Sequence, residues 1–258
     1  MAILSKHNLI KVAIVVLMTL LAACAKTLKT ELPLLQQMDT KQIVVVISDD
    51  WDATTAKLQK FDWKDGQWQA ADAAFAVNIG RTGLAWGLGL HPPQNGYYKQ
   101  EGDGKATAGL FDLTQTFGYL EQLNTTMPYS AMSAGNYCID VNGSSLYNQI
   151  VDENIVGKEA VKDSSEPMRR DIHKDNQDIY KKGIVVDHNE ANVSGQGSCI
   201  FLHIWFGPGV ATAGCTAMAE PNMDRLLAWL DPNKKPRYVA LPRAEYMAKQ
   251  QAWGLPAL

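Results

Sequence analysis

Ile200-Phe201-Leu202-His203-Ile204-Trp205 and, beginning seven residues after Trp205, Thr212-Ala213-Gly214-Cys215-Thr216-Ala217-Met218 are the stretches that decide how this chain is read. The first is a short apolar run of strand-forming residues carrying one histidine. The second is a small-residue turn holding one cysteine. A strand-and-loop scaffold of this kind presents a thiol and an imidazole to the same space. A thiol near its ordinary pKa of about 8.5 is mostly protonated at neutral pH, so a neighbouring imidazole is its usual activator. Gly214 allows close backbone approach, and amides at Gly214, Cys215 and Thr216 could point at a developing oxyanion. The competing reading is a small buried hydrophobe beside a satisfied core histidine.

Elimination among the histidines favours His203. His91 precedes Pro92-Pro93 and reads as a loop residue, and His173 lies in the charged run from Arg169 to Lys174. His188, followed by Asn189 at the end of the Gly183-Ile184-Val185-Val186 run, is the competitor. It is expected either in a substrate cleft or as a structural hydrogen-bonding residue.

Around these runs the chain reads as mostly β with minor α. Ile43 to Ile47 is a continuous β-branched run, hence a buried strand. Asp65-Gly66 between two aromatic-bearing runs predicts a hairpin turn. Strands are expected over residues 74–79, 109–113, 183–189, 198–206 and 236–241. The clearest amphipathic helix follows the cysteine, over residues 221–229, with Met223, Leu226 and Leu227 on one face. Residues 124–178 are less regular and read as a long insertion or lid. Gly83 to Leu90 is Gly-rich but lacks phosphate-loop spacing.

The N-terminus reads as an export signal over residues 1–23. Lys6, His7 and Lys11 precede an apolar run too short to span a bilayer as a mature helix. Leu21-Ala22-Ala23-Cys24 resembles a bacterial lipobox, which implies cleavage before Cys24 and lipidation of that residue. A tether is expected over 24–40 and one domain over 41–258. Ala25 favours the outer membrane over the inner, on the periplasmic side. Net charge is −3 with no basic stripe, which argues against nucleic acid as a partner. No His/Cys/Asp grouping has metal-ligand spacing, and no cofactor is called for. With Cys24 assigned to lipid and Cys215 to chemistry, Cys138 and Cys199 remain in an oxidising compartment. They are expected either as a disulfide pinning the insertion to the His203 strand or as two buried thiols.

Taken together these residues resemble the L,D-transpeptidase catalytic domain of the YkuD/ErfK type. His203, Thr212, Gly214 and Cys215 match its pattern of His, a variable loop and Ser/Thr-x-Gly-Cys. Upstream, Gly80-Arg81 and the charged turn Glu101-Gly102-Asp103-Gly104-Lys105 before Gly109-Leu110-Phe111 match a second one. Ala213 stands where the family commonly has a second His, and Thr216-Ala217-Met218 replaces the stretch bearing an Arg. The resemblance implies a mixed β-sandwich with a long insertion and a Cys215–His203 site acting on peptidoglycan stem peptides. It also implies a backbone carbonyl orienting His203, with Ile204 or Trp205 nearest, and acylation of Cys215 by carbapenems. His188, Asn189, Trp205 and Arg81 are the expected substrate-binding residues, with Arg169 and Arg170 as further replacements for the missing Arg. The alternatives are a carboxypeptidase or hydrolase using the same pair, and a wall-binding lipoprotein without chemistry.

Overall fold

The β-branched run at Gln42–Ser48 (β1) is buried along its whole length, as a strand with sheet neighbours on both edges and cover on both faces must be. The computed structural model describes residues 31–258, so the signal sequence and the lipidation residue Cys24 lie outside the described residues. β1 pairs antiparallel with Thr55–Lys64 (β2), which turns at Asp65-Gly66 into Gln67–Ala70 (β3). Both turn residues have positive φ, 52° and 77°, which a two-residue type I′ hairpin requires.

Phe75–Asn78 (β4), Leu84–Trp86 (β5), Ala106–Asp112 (β6), Thr116–Gly118 (β7) and Tyr129–Ala131 (β8) follow. Asn136–Cys138 (β9), Ile150–Asp152 (β10) and Glu166–Pro167 (β11) form a separate three-stranded sheet in the order β10-β9-β11. Lys182–Val185 (β12), Phe201–Ile204 (β13), Thr216–Met218 (β14) and Arg237–Pro242 (β15) complete the strands. The main sheet has 12 strands, ordered β5-β6-β15-β1-β2-β4-β14-β13-β12-β7-β8, with β3 attached to β2. β1 with β15, β13 with β14, β5 with β6 and β7 with β8 are parallel, and the other pairs are antiparallel. The protein is therefore β-rich, built on a large mixed sheet with few helices.

The longer helices are Glu220–Trp229, which buries Met223, Leu226 and Leu227, and Arg243–Trp253, which buries Tyr246 and Trp253. One large core joins β1, β15, β6 and the helices. A second, smaller core of Phe117, Met132, Met168, Tyr180, Phe201 and Cys215 lies under the excursion between β7 and β12. That excursion carries β8 to β11 and returns to pair antiparallel with β7, so it is an insertion in the path of the sheet.

The tether expected over residues 24–40 ends earlier than the sequence suggests. Leu34–Gln37 is a helical turn whose Leu35 is fully buried in the main core, and Thr40 is buried. A lone apolar turn among polar residues carries no periodicity, and tertiary packing decides its state.

Candidate active site

β13 and β14 lie side by side and parallel, with Leu202 opposite Thr216, His203 opposite Ala217 and Ile204 opposite Met218. Side chains alternate between faces along a strand. Leu202, Ile204 and Met218 therefore enter the main core, while Phe201, His203, Ala217 and Cys215 share the other face. Cys215 stands one step before β14, beside Phe201, whose N–H donates to its Sγ at 3.4 Å. Cys215 and His203 line one cavity of about 620 Å³. The insertion contributes Asp140, Glu166, Arg170 and Tyr180 to its wall, and the facing side carries Trp205, Arg81 and the 212–215 turn.

The imidazole is oriented by backbone. His203 Nδ1 lies 2.7 Å from the carbonyl oxygen of Ile204. A carbonyl accepts only from an N–H, so the proton sits on Nδ1 and the lone pair on Nε2. The edge of the ring meets Tyr180, with centroids 5.2 Å apart and planes at 75°. Burial drives the His203 pKa down to about 4, against the Ile204 hydrogen bond and with help from the Arg170 charge. Burial pushes the Cys215 thiol up to about 12, and the Glu166 carboxylate adds to it; the Phe201 amide, Lys99 and Arg170 pull the other way. At neutral pH the resting pair is a neutral thiol and a neutral imidazole.

Thr212 shapes the turn that holds the thiol. Its Oγ1 accepts from the Gly214 amide at 3.1 Å and donates to the Cys215 carbonyl at 2.6 Å. Gly214 has φ of +156°, and a Cβ there would stand 3.0 Å from the Lys105 carbonyl oxygen and 3.2 Å from Lys99 Nζ. Two oxyanion expectations change as a result. The Gly214 amide is spent on Thr212. The Thr216 amide belongs to the β13–β14 ladder, where Thr216 pairs with Leu202, and its hydroxyl is bonded to the Tyr238 hydroxyl at 2.8 Å. The Cys215 amide has no hydrogen-bond partner among the described residues.

His188 and Asn189 do not reach this cavity. His188 Nδ1 accepts from the Leu88 amide at 3.1 Å, and Nε2–H donates to the Gln196 carbonyl at 2.8 Å. Burial lowers its pKa to about 4. Asn189 sits at φ +56° with its amide group bonded to Val193 and Gly197. Both hold the 189–197 loop in shape. Trp205 and Arg81 do line the cavity. Arg170 lines it too, held by Glu166 at 2.8 Å and by Gln177. Arg169 is instead paired with Asp171 at 2.6 Å and stacked over Tyr119.

Cys138 and Cys199 form a disulfide that closes a separation of 61 residues and ties β9 of the insertion to the approach of β13. Cys199 has φ of +58°, an uncommon backbone state for a residue with a Cβ. Its carbonyl accepts the Cys215 Sγ–H at 3.5 Å.

Tyr180, Glu166 and Lys99 belong to the cavity without having been marked by the sequence. Tyr180 and Glu166 arrive from the insertion, where no local pattern distinguishes them. Lys99 had a signal, since it leads into the charged turn of residues 101–105. Comparison with family models, with curated proteins and with solved structures gives no match for this chain.

Proposed function

We propose that this protein is a peptidoglycan L,D-transpeptidase of the YkuD/ErfK type, exported and held at the outer membrane by lipid on Cys24. The observation that carries this reading is the placement of Cys215 and His203 on one face of adjacent parallel strands, in one cavity, with the imidazole oriented by a backbone carbonyl. The family pattern of His203, Thr212, Gly214 and Cys215 and the export signal support it.

In the proposed reaction His203 Nε2 takes the Cys215 proton as the sulfur adds to the carbonyl carbon at the L-centre of a tetrapeptide stem. The Cys215 amide donates to the oxyanion, an interaction of about 3 kcal/mol for one donor in comparable sites. Collapse breaks the C–N bond, and the proton on Nε2 passes to the departing amine of D-alanine. The thioester is then attacked by an amine of a second stem, whose proton returns through His203 to the leaving sulfur. In this scheme the imidazole first accepts a proton and then gives it up. Water in place of the amine would turn the same site into a carboxypeptidase.

Incubation with purified tetrapeptide muropeptides, beside Cys215→Ala, tests the reading by mass spectrometry of the products. A crosslinked dimer with loss of one D-alanine, absent in the variant, supports transpeptidation. Tripeptide alone supports hydrolysis. Unchanged muropeptide counts against an enzyme of this class.

A further inference from the structure

The charged turn between residues 99 and 105 has a second role in the geometry. Lys99 is 4 % exposed, and its ammonium donates to Asp103 Oδ1 at 2.9 Å and to the Lys105 carbonyl at 2.8 Å. Asp103 also accepts the amides of Gln100 and Lys105, so the turn is wound around this one ion pair. A buried ammonium is costly, and a buried ion pair returns little net stability. Its position is what needs a reason.

Two glycines from two other loops lie against Lys99. A Cβ on Gly197 would stand 2.9 Å from its Cγ and Cε, and a Cβ on Gly214 would stand 3.2 Å from Nζ. Gly214 is the residue before Cys215. The same Cβ on Gly214 would stand 3.0 Å from the Lys105 carbonyl oxygen that Lys99 holds. The ammonium thus packs against the residue before Cys215, and Lys99 lines the cavity with Cys215. Glu101 ties the assembly to its surroundings, accepting from Tyr147 of the insertion and from Ser198 before β13.

We propose that Lys99 is a positioning residue for Cys215: its ammonium packs against Gly214 of the turn that carries Cys215 and sets a positive charge on the cavity wall beside the sulfur and the oxyanion formed there. This rests on the reading of Cys215 as the nucleophile. Glu166 of β11 and Arg170 also act on Cys215, Cys215 acts in turn on Tyr180 and on Tyr238 of β15, and His203 of β13 lines the same cavity. Asp103 and His188 face Lys99. Glu166 opposes thiolate formation, and Lys99 and Arg170 favour it.

The test is iodoacetamide alkylation of the full chain carrying Cys24→Ser, in which Cys215 is the free thiol, followed from about pH 7 to pH 10. Lys99→Gln keeps a donor and removes the charge, Lys99→Met removes both, and Lys99→Arg keeps the charge. Alkylation at fixed pH should fall about tenfold in the neutral variants, equivalent to one pKa unit, and stay within about twofold of the parent in Lys99→Arg. Equal rates in all variants would overturn the proposal, as would an equal loss in Lys99→Arg and Lys99→Gln, which would mark a purely structural role. If neither neutral variant folds while Lys99→Arg folds and reacts normally, the charge serves the fold and the proposal fails. Alkylation needs no substrate. If the order of reactivity holds but the parent does not turn over muropeptides, Lys99 keeps its role and the transpeptidase reading is what fails.

Discussion

The thiol of Cys215 rests against the carbonyl of Cys199, 3.5 Å away, and Cys199 is bound through its own sulfur to Cys138 on the insertion. The backbone that receives the thiol is therefore tied covalently to another part of the fold. Asn148 adds to that tie, because its Oδ1 accepts the Cys199 amide at 2.9 Å.

Removing the tie should cost both stability and reactivity. Closing a separation of 61 residues is worth about 4 kcal/mol in the chain-entropy picture. Cys138→Ala with Cys199→Ala is expected to lower the denaturant midpoint by a corresponding amount and to slow muropeptide turnover at least several-fold. Equilibrium unfolding and a turnover assay on the same protein check both parts. A variant as stable and as active as the parent would contradict them.

Three histidines, His91, His188 and His203, are buried with pKa values pushed down to about 4. The ordinary imidazole value is about 6.5, so between pH 6.5 and 4 the unfolded chain binds about three protons that the folded chain refuses. Stability from this source is present above pH 6.5 and is lost as pH falls. Asp187 runs the opposite way. Burial raises its carboxyl to about 6, so over part of the same window the folded chain binds one proton more. Burial raises the carboxyls of Asp112 and Glu166 as well, and they add to the Asp187 side, so the net loss near pH 5 is smaller than the three-proton slope of about 4 kcal/mol per pH unit. Denaturant titrations at pH 7, 6 and 5 read this slope directly, and a stability that rises as pH falls would contradict the burial of the three rings.

Gly214→Ala should fold and fail at chemistry. The added methyl would press on the Lys105 carbonyl and Lys99 Nζ, in a backbone state that side chains disfavour. Displacing the Cys215 amide is expected to cost about a hundredfold in turnover. A near-normal melting temperature with that loss is the predicted pair of results.

Glu166→Gln should make Cys215 more reactive. After burial, the Glu166 carboxylate is the largest influence holding the thiol up, and without it Arg170 faces the cavity without its charged partner. Alkylation at neutral pH is expected to rise about tenfold. Unchanged or slower alkylation would show that Glu166 does not act on the sulfur.

Much of this was legible in the chain. The β-branched run of β1, the Asp65-Gly66 hairpin and the apolar strand around His203 announce themselves because burial and turn geometry are local demands on residue type. The pairing of His203 with Cys215 was legible for the same reason, as a strand and a small-residue turn. His188 and Asn189 read as cleft residues because a polar pair at a strand end looks the same whether it meets a substrate or its own loop; here the loop carbonyls of Val193, Gln196 and Gly197 take them. The loss of the Gly214 amide depends on the Thr212 hydroxyl, a side-chain geometry no pattern encodes. Tyr180 and Glu166 reach the cavity across the insertion, and only the tertiary path brings them there.

The central claim is that Cys215 carries the acyl group. The most direct measurement is to mix the protein with a tetrapeptide donor without an acceptor amine, quench in acid, and locate the adduct by peptide mass spectrometry. The account predicts a thioester on the peptide containing Cys215, with the mass of the donor less D-alanine, and none in Cys215→Ala. A tetrapeptide consumed while Cys215 stays unmodified, or equal consumption by Cys215→Ala, would contradict it.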